Sequence, residues 1–391
     1  MPAQGSRTYD VVVFGATGFT GGLTAAEVAR RVPAGCRWAI AGRSRRRLEG
    51  VRAGLAADDP SLAELPVIVA DVDDPGSMRD LAASTRVLIT TVGPYLRYGD
   101  PVVAACAVEG TDYLDLTGEA EFVDRTWLSH HVTAEGSGAR LVHAAGFDSI
   151  PHDLGVRFTV GHLPSNAPLT VHGYVKAVGA FSGGSLASAM GFLGRIGPGR
   201  RTAAERLQVE GPPSRPATLV RGPMQQAGSW SLPFPSVDAQ IVLRSSAALG
   251  YGTGLSYSHN FVVGPLPMVP LALFGVATVG LLSQVPPVRD GISKLVPPGS
   301  GPSEAARARN HFDVRFVGSG GGRRVVAQVT GGDPGYTETS KMLAESALCL
   351  AYDELPEVAG QTTTAIAMGE ALTGRLQRAG IGFEVLEEGP T

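Results

Sequence analysis

Three glycines at a fixed spacing constrain this chain more than any other feature of its sequence. The apolar run YDVVVF ends at Gly15, and Gly18 and Gly21 precede a segment, Thr24 to Arg31, with the composition of a helix. The first glycine permits a tight turn, the second lets a ligand approach the backbone, and the third lets the helix lie close to the strand. A strand, such a turn and a helix predict a pyrophosphate site at the helix N-terminus; an ordinary glycine-rich turn is the alternative.

The end of the second predicted strand indicates which dinucleotide binds. The stretch CRWAIAGRS reads as a strand, and it ends without the Asp or Glu that would bind the ribose 2′-hydroxyl of NAD. Arg43 and Ser44 stand there instead and can bind a 2′-phosphate, so we predict NADP(H). The arginines at positions 45 to 47 are interpreted as the solvated start of the next helix.

Strands and helices alternate as far as residue 155. The stretches LPVIVADVDDP, TRVLITTVGPY, DYLDL and RLVHA predict further strands, and the alternation is typical of a doubly wound parallel sheet. Because Asp71, Gly93 and Pro94 follow strand ends, we expect them beside the adenine and the nicotinamide ribose. The residues predicted to bind the cofactor are Gly15, Thr17, Gly18, Phe19, Thr20, Gly21, Arg43, Ser44, Asp71, Gly93 and Pro94.

Length, charge and cysteine content limit the other possibilities. A chain of 391 residues predicts more than one domain. Its net charge of −3 gives no support to a nucleic-acid partner. Three cysteines without a CxxC pair disfavour a disulfide framework and favour a reducing compartment, and no residue spacing indicates a metal site. The first residues lack the apolar core of a signal peptide, so a cytoplasmic location is predicted.

The middle of the chain is harder to interpret. TVHGYVKAVG and a hairpin around Ser319 to Gly322 predict strands of a second domain. A turn of small residues at 182–185 either faces the cofactor or caps a helix. Arginines outnumber glutamates between residues 195 and 221. This basic stretch either meets a carrier protein or an anionic lipid surface, or is a solvated loop.

An apolar segment suggests contact with lipid. No Asp, Glu, Lys or Arg occurs from Ser245 to Val288, and the apolar run at 262–282 approaches the ~20 residues that a membrane span needs. Three prolines interrupt its first half, which disfavours a spanning helix. We predict that residues 261–282 form an exposed helix or hairpin that touches the inner face of the plasma membrane or a lipid tail. A buried core helix is the alternative.

Six motifs carry a resemblance to a known family: FGATGFTG, AGRS, TTVGPY, GTDYLDLTGE, AGFDSIPHDLG and DPGYTETSKMLAESALCLAYDE. Together they resemble the saccharopine dehydrogenase-like oxidoreductases, and within them the trans-acting enoyl reductase branch. The resemblance implies an NADP-binding Rossmann domain at 1–150 and a second α/β (α+β) domain at 151–332 that contains the apolar segment 261–285. It also implies C-terminal helices, within 333–391, that return to the first domain.

The predicted chemistry follows from the cofactor. NADPH supplies a hydride, so the substrate must offer an electrophilic carbon and a proton donor must quench the resulting charge. Tyr95, Asp148 and His152 are the catalytic candidates at the carboxyl edge of the predicted sheet. The predicted function is reduction of an acyl or lipid-like substrate, which is either free or bound to a carrier protein. The enzyme is considered as a homodimer.

Two alternatives to the enoyl reductase remain open. One is a saccharopine-type enzyme that reduces an imine formed from an amino acid and a keto acid. Saccharopine-forming enzymes carry Gly-Leu-Asp-Pro-Gly where this chain has GFDSIP at 146–151, which disfavours an amino-acid substrate. The other is a non-catalytic protein that binds NADPH and a lipid surface.

Overall fold

The computed structural model describes residues 7–178, 196–213, 215–226, 229–234, 236–270, 274, 278 and 301–391. Within these ranges the chain builds two β-sheets, and one cluster of buried apolar side chains extends from the first sheet to the second. The predicted turn at 182–185, Arg195 and most of the apolar segment beyond residue 270 lie outside the described residues.

The described strands and helices are numbered in chain order. The strands are β1 (Tyr9–Phe14), β2 (Trp38–Gly42), β3 (Val67–Val69), β4 (Thr85–Thr90), β5 (Asp112–Leu114), β6 (Arg140–Val142), β7 (Pro168–Val178), β8 (Ala217–Leu219), β9 (Met224–Gln226), β10 (Ser229–Pro233), β11 (Gly254–Gly264), β12 (His311–Gly320), β13 (Arg323–Gly331), β14 (Gly360–Thr362) and β15 (Gly382–Pro390). The helices are α1 (Phe19–Arg31), α2 (Arg45–Asp58), α3 (Pro75–Ser84), α4 (Tyr95–Tyr98), α5 (Asp100–Glu109), α6 (Ala120–Ser137), α7 (Ile150–Val160), α8 (Ile196–Glu210), α9 (Val237–Leu249), α10 (Glu304–Arg307), α11 (Thr337–Tyr352), α12 (Thr364–Ala367) and α13 (Gly369–Arg378).

The first sheet is the predicted doubly wound sheet. Its strand order is β14-β6-β5-β4-β1-β2-β3, and every neighbouring pair is parallel. Along β1, Val11 and Val13 pack into the core beneath α1 and α11, whereas Val12 and Phe14 pack into the core beneath α3 and α5. Because both faces are covered, β1 reads as a continuous apolar run rather than an alternating one. The Rossmann architecture is confirmed.

The first helix starts earlier than its composition suggests. We expected it from Thr24, but α1 begins at Phe19 with Gly18 as its N-cap. The last glycine of the motif, Gly21, therefore lies inside the first turn. Glycine costs helix stability on average, but here its missing side chain lets the helix touch the end of β1.

The second sheet is mixed and has the order β15-β13-β12-β7-β11-β10-β9, with β8 also paired to β11. The pairs β7–β11 and β8–β11 are parallel, and the other pairs are antiparallel. The predicted strand at TVHGYVKAVG and the predicted hairpin are confirmed as β7 and β12–β13. Helix α7 packs on this sheet so closely that a Cβ on Gly155 would lie 2.3 Å from the ring of Phe316.

The C-terminal segment serves both sheets. Helix α11 packs against α1, β1 and β4, as the resemblance implied, and β14 adds a strand to the first sheet. The stretch TTTAIAMGEALTGRLQRAGIGFEVLE predicts a short extended tail, but β15 pairs with β13 from Arg323 to Thr330 in the second sheet. The same stretch predicts a single last helix, and this prediction was wrong. The helix is divided into α12 and α13 at Gly369, whose φ of 39° ends the first helix.

The basic stretch is not the loop that one interpretation proposed. Helix α8 covers residues 196–210, and the guanidinium of Arg206 is buried between the carboxylates of Asp124 and Glu210. Arg215 donates hydrogen bonds to the carbonyl oxygens of Gly250 and Gly252. These two arginines are therefore occupied by the protein itself.

The start of the predicted lipid-contacting segment belongs to the second sheet. Residues 261–264 form the end of β11 and pair with β10. Among the residues that the structure describes, no helix is long and apolar enough to cross a membrane. Membrane contact through 261–282 stays a prediction.

Candidate active site at the carboxyl edge of the first sheet

The glycine turn after β1 is sterically closed to side chains. Gly15 has a φ of 89°, which disfavours other residues. A Cβ on Gly21 would stand 2.2 Å from the carbonyl oxygen of Gly15 and 2.7 Å from Oγ1 of Thr91. The Gly18 N–H donates to the same carbonyl at 2.9 Å, which closes the turn. Helix α1 is thus held against the end of β1 in the way that the motif predicts.

The N-terminus of α1 fits the pyrophosphate of a dinucleotide. No side chain caps this end, and its first turn contains no acidic residue that would repel a phosphate. The first N–H groups of a helix have no partner within the helix and carry partial positive charge. We therefore expect the backbone of Thr17, Phe19 and Thr20 to bind a phosphate beside Gly18. The ring of Phe19 lies edge-on to Tyr336, at 5.1 Å between centroids, and so packs against the C-terminal segment.

The predicted 2′-phosphate residues stand at the end of β2, next to β1. Arg43 is exposed, and β2 pairs in parallel with β1, so Arg43 lies at the same sheet edge as the glycine turn. Ser44 is the N-cap of α2, and its Oγ accepts a long 3.5 Å hydrogen bond from the N–H of Arg47. The interpretation of residues 45 to 47 as the start of a helix is confirmed. An exposed arginine beside a weakly held serine fits the extra phosphate of NADP.

The remaining predicted cofactor residues lie at the same edge. Asp71 follows β3, and its carboxylate accepts a hydrogen bond from the N–H of Asp73. Gly93 and Pro94 follow β4 and are joined by a cis peptide bond. Their contacts with a bound cofactor stay predictions.

Asp115 holds together the two loops that follow β5 and β6. Its Oδ1 accepts from the N–H groups of Ala144 and Thr117 at 2.8 and 3.0 Å. Its Oδ2 lies 2.8 Å from the hydroxyl of Tyr113 and 2.7 Å from Nδ1 of His143. A fully buried carboxylate with four partners fixes its surroundings. The motifs GTDYLDLTGE and AGFDSIPHDLG thus form one rigid edge.

Tyr95 is a buried member of this edge. Its hydroxyl donates to the carbonyl of Thr90 and accepts from the N–H of Leu116, both at 3.2 Å. The carboxylate of Glu119 accepts from the N–H groups of Tyr95 and Leu96 at the start of α4. Burial raises the pKa of Tyr95 well above its usual value, with the charge of Asp115 adding to the effect. The hydroxyl is thus engaged with backbone; its catalytic role stays a prediction.

Asp148 is partly exposed, and its pKa is strongly raised. Its carboxylate lies beside Gly118, in the turn between β6 and α7. Loss of solvation raises the pKa of Asp148 to about 7, and the negative charges of Asp238 and Asp115 contribute to the rise. A carboxyl group of this kind holds a proton near neutral pH and can release it.

His152 lies deeper, where α7 meets the second sheet. Its Nδ1 is 2.7 Å from Oδ1 of Asp238, and its ring stands edge-on to that of His259, at 4.7 Å between centroids. The Nε2 of His259 is 3.6 Å from Oδ2 of Asp238. Its catalytic role also stays a prediction. Asp153 of the same helix accepts hydrogen bonds from Thr364 Oγ1 and the Ala365 N–H at the start of α12.

Sequence reasoning missed Asp238 and His259. Neither lies in one of the motifs, and their separation from His152 along the chain gives no spacing signal. They meet because α9 packs against both α7 and β11. A search for histidines and carboxylates within predicted strands and first helical turns would have found both, together with many unrelated residues.

Comparison with known proteins identifies the family of this chain. Residues 11–141 match the family model described as the saccharopine dehydrogenase NADP binding domain. A trans-acting enoyl reductase of Mycobacterium bovis (strain BCG / Pasteur 1173P2) is 35% identical, with 97% of this chain and 98% of that protein covered. One of Mycobacterium ulcerans (strain Agy99) is 33% identical, with the same coverage of both chains.

The chain belongs to the trans-acting enoyl reductase branch of the saccharopine dehydrogenase-like oxidoreductases. It is an NADP-dependent oxidoreductase, so the prediction of NADP(H) is confirmed and the non-catalytic alternative is wrong. Bound NADPH supplies the hydride. The glycine turn and the start of α1 would hold its pyrophosphate, and Arg43 its 2′-phosphate.

The fold agrees with this family. The apo saccharopine dehydrogenase (L-Glu forming) of Saccharomyces cerevisiae superposes with a TM-score of 0.54, covering 97% of this chain and all of that one. The two sequences are only 9% identical, so the likeness concerns the fold alone. A Rossmann sheet followed by a second sheet is thus confirmed.

Proposed function

We propose that this NADP-dependent oxidoreductase is an enoyl reductase that acts in trans on an acyl chain of a lipid or polyketide. The observation that carries the proposal is Asp148, a carboxyl group at the carboxyl edge of the nucleotide-binding sheet whose pKa is raised to about 7 by loss of solvation. Reduction of an enoyl thioester needs a hydride at the β-carbon and a proton at the α-carbon. The family relatives that carry the name of this reaction support the assignment.

Asp148 is suited to the proton-transfer half of the reaction. When the β-carbon accepts the hydride, negative charge moves to the thioester oxygen, and the α-carbon then takes a proton. A carboxyl group that is protonated near neutral pH can give that proton and regain it from water through its partly exposed side. The Asp115 network keeps the turn that carries Asp148 in place before the substrate arrives.

The second candidate reaction is reduction of a carbon–nitrogen double bond. A saccharopine-type substrate carries two or three carboxylates, which require cationic partners. Arg206 and Arg215, two arginines of the basic stretch between residues 195 and 221, are already engaged by the protein. This observation favours the acyl substrate.

The proposed partners follow from the substrate. The acyl chain is presented as a thioester, free or on a carrier protein, and the segment at 261–282 is the proposed peripheral contact with a membrane or lipid tail. We propose that the enzyme works in the cytoplasm at the inner face of the plasma membrane. Gel filtration and vesicle flotation of the full chain would test assembly and membrane contact separately.

The decisive experiment is NADPH oxidation by the purified full-length chain in detergent. The substrates are a long-chain enoyl thioester, a C-methyl-branched enoyl thioester, and lysine with 2-oxoglutarate. Mass spectrometry follows the products, so that consumption of NADPH by oxygen is not counted as turnover. The saturated thioester, with deuterium at the β-carbon when labelled NADPH is used, is the expected product.

The outcomes separate the candidate functions. Turnover of either thioester supports the proposal, and the preferred chain identifies the acyl class. Turnover of the amino-acid pair alone would replace it with the saccharopine-type reaction. NADPH binding without turnover of any of the three substrates would contradict the proposed substrate class.

A further inference from the structure

Three buried side chains converge where α7, α9 and β11 meet. They are His152 of α7, Asp238 in the first turn of α9 and His259 of β11, with exposed fractions of 2%, 3% and 3%. One ligand atom from each lies within 4.8 Å of the others. Each residue comes from a different element, so the cluster joins the helix that follows the first sheet to two elements of the second domain.

The polar atoms of this cluster lack hydrogen-bond partners within the described protein. They include both ring nitrogens of His152, Oδ1 of Asp238 and Nε2 of His259. His152 Nδ1 and Asp238 Oδ1 are only 2.7 Å apart but do not have the alignment of a hydrogen bond. An unsatisfied buried polar atom destabilises the folded protein. Several of them around one point indicate that a further group completes the site.

Tyr257 can hold His259 in the tautomer that a metal ion requires. Its buried hydroxyl lies 3.0 Å from Nδ1 of His259. When Nδ1 carries the proton and donates it to this hydroxyl, the lone pair of Nε2 points toward Asp238. A hydrogen bond to the second ring nitrogen is the usual support of a histidine that binds a metal.

We propose that His152, Asp238 and His259 bind a divalent transition-metal ion of the zinc class in a buried structural site. The ion would fasten α7 to α9 and β11, and thereby the nucleotide-binding half of the molecule to the second sheet. His152 is then a ligand, which leaves Asp148 as the proton donor proposed above. The inference does not depend on the identity of the substrate.

The donor set selects the kind of ion. Two imidazoles and one carboxylate suit Zn²⁺ and neighbouring transition metals, whereas Mg²⁺ and Ca²⁺ prefer oxygen ligands throughout. Bonds of about 2.1 Å in a tetrahedral site place ligand atoms roughly 3.3 Å apart. This separation lies between the closest pair in the cluster, at 2.7 Å, and its limit of 4.8 Å. A water molecule would supply the fourth ligand.

The test is metal titration of the full-length protein after removal of metals with a chelator. Zn²⁺ binding is followed by calorimetry, and Co²⁺ binding by its visible absorption, which reports a tetrahedral site. We expect one equivalent to bind and the thermal midpoint to rise. Asp238→Asn and His259→Gln are expected to weaken binding at least 100-fold, whereas the control His172→Gln should bind as the original protein does. His172 lies on β7 beside β11 and contacts Ser258, outside the cluster.

Two results would overturn the inference. The first is the absence of stoichiometric binding to the original protein. The second is unchanged binding in Asp238→Asn and His259→Gln, which would assign the ion to surface histidines. Should these variants fail to fold by circular dichroism, X-ray absorption of the zinc-loaded original protein decides the matter. Two imidazoles and one carboxylate support the site, and any other first coordination sphere contradicts it.

Discussion

The nucleotide edge of the first sheet and the cluster at the junction of the two sheets are built in different ways. The nucleotide edge uses glycines and an arginine that lie close together in the chain, at the ends of adjacent parallel strands. The junction cluster uses His152, Asp238 and His259, which only the packing of three elements brings together. A local motif can therefore reveal the first site, whereas the second has no continuous sequence signal.

The two regions also differ in what holds them in place. Steric exclusion fixes the glycine turn, since a side chain at Gly21 would overlap the backbone. Charge fixes the other, since the carboxylate of Asp238 faces two histidines. Changes of volume should therefore damage the first region most, and changes of charge the second.

The largest effect is expected at the glycine turn. Gly21→Ala would force a Cβ to within 2.2 Å of the Gly15 carbonyl, so α1 must move away from β1. Overpacking of this kind costs about 1–3 kcal/mol or more, and NADPH affinity should fall by at least 100-fold. Fluorescence titration of NADPH measures it. Gly22→Ala is the matched control, because its Cβ would lie 3.6 Å from the nearest atom, Ala16 O. Equal affinity in the two variants would refute the close contact.

The next effect concerns the proton donor. Asp148→Asn keeps the size of the side chain but removes its transferable proton, so turnover of the enoyl thioester should fall by about 100-fold or more. The dissociation constant of NADPH should stay the same. Stopped-flow measurement of NADPH oxidation separates the two quantities. Asp73→Asn, at an exposed position, is the control. Full turnover by Asp148→Asn would exclude Asp148 as the donor.

A smaller effect is expected at the end of β2. Arg43→Ala removes a charged partner of the 2′-phosphate, which is worth about 1.5–3 kcal/mol, so NADPH should bind roughly 10- to 100-fold more weakly. NADH lacks this phosphate, and its affinity should change little. Parallel titrations with both nucleotides measure the ratio, with Arg46→Ala as an exposed control in the first turn of α2. A uniform loss for both nucleotides would show that Arg43 does not read the 2′-phosphate.

The smallest effect is expected on the free energy of unfolding, from the ion pair of Asp353 and Arg375 in the C-terminal segment. Both carboxylate oxygens of Asp353 accept from the guanidinium of Arg375, at 2.6 and 2.7 Å, and this hydrogen bonding lowers the pKa of Asp353. A carboxyl group with a lower pKa in the folded state stabilises the fold at pH values above its pKa in the unfolded chain, which is about 3.9. This stabilisation is lost as the pH falls through the pKa of the folded state.

Asp353→Asn should therefore reduce the free energy of unfolding by about 1 kcal/mol at pH 7, a modest value because the pair is partly exposed. The difference should shrink as the pH falls below about 4. Urea unfolding at both pH values measures it, with Glu354→Gln, whose side chain is exposed, as the neighbouring control. A difference that grows on acidification would contradict the assigned sign.

The sequence predicted the elements that depend on residues nearby in the chain, and it missed features that depend on contacts with distant residues. Strand β1 was predicted with its observed limits, because a strand buried on both faces reads as an uninterrupted apolar run. The start of α1 was missed, because the glycines that begin it resemble a loop until β1 is placed against them. The division between α12 and α13 was also missed. Asp153, far away in the chain, accepts a hydrogen bond from the Ala365 N–H at the start of α12, and nothing in the sequence near Gly369 shows this contact.

What could be deduced from residue order concerns interactions between neighbours along the chain. The glycine spacing, the missing acid after β2 and the alternation of strands and helices determine the Rossmann domain and its preference for NADP. Packing decides four other features. They are the pairing of β15 with β13, the hydrogen bonds between the Tyr95 hydroxyl and the backbone, the raised pKa of Asp148 and the junction cluster. Each of these features depends on partners that are distant in the sequence. The burial of a residue and the charges around it are set by all the elements that pack against it.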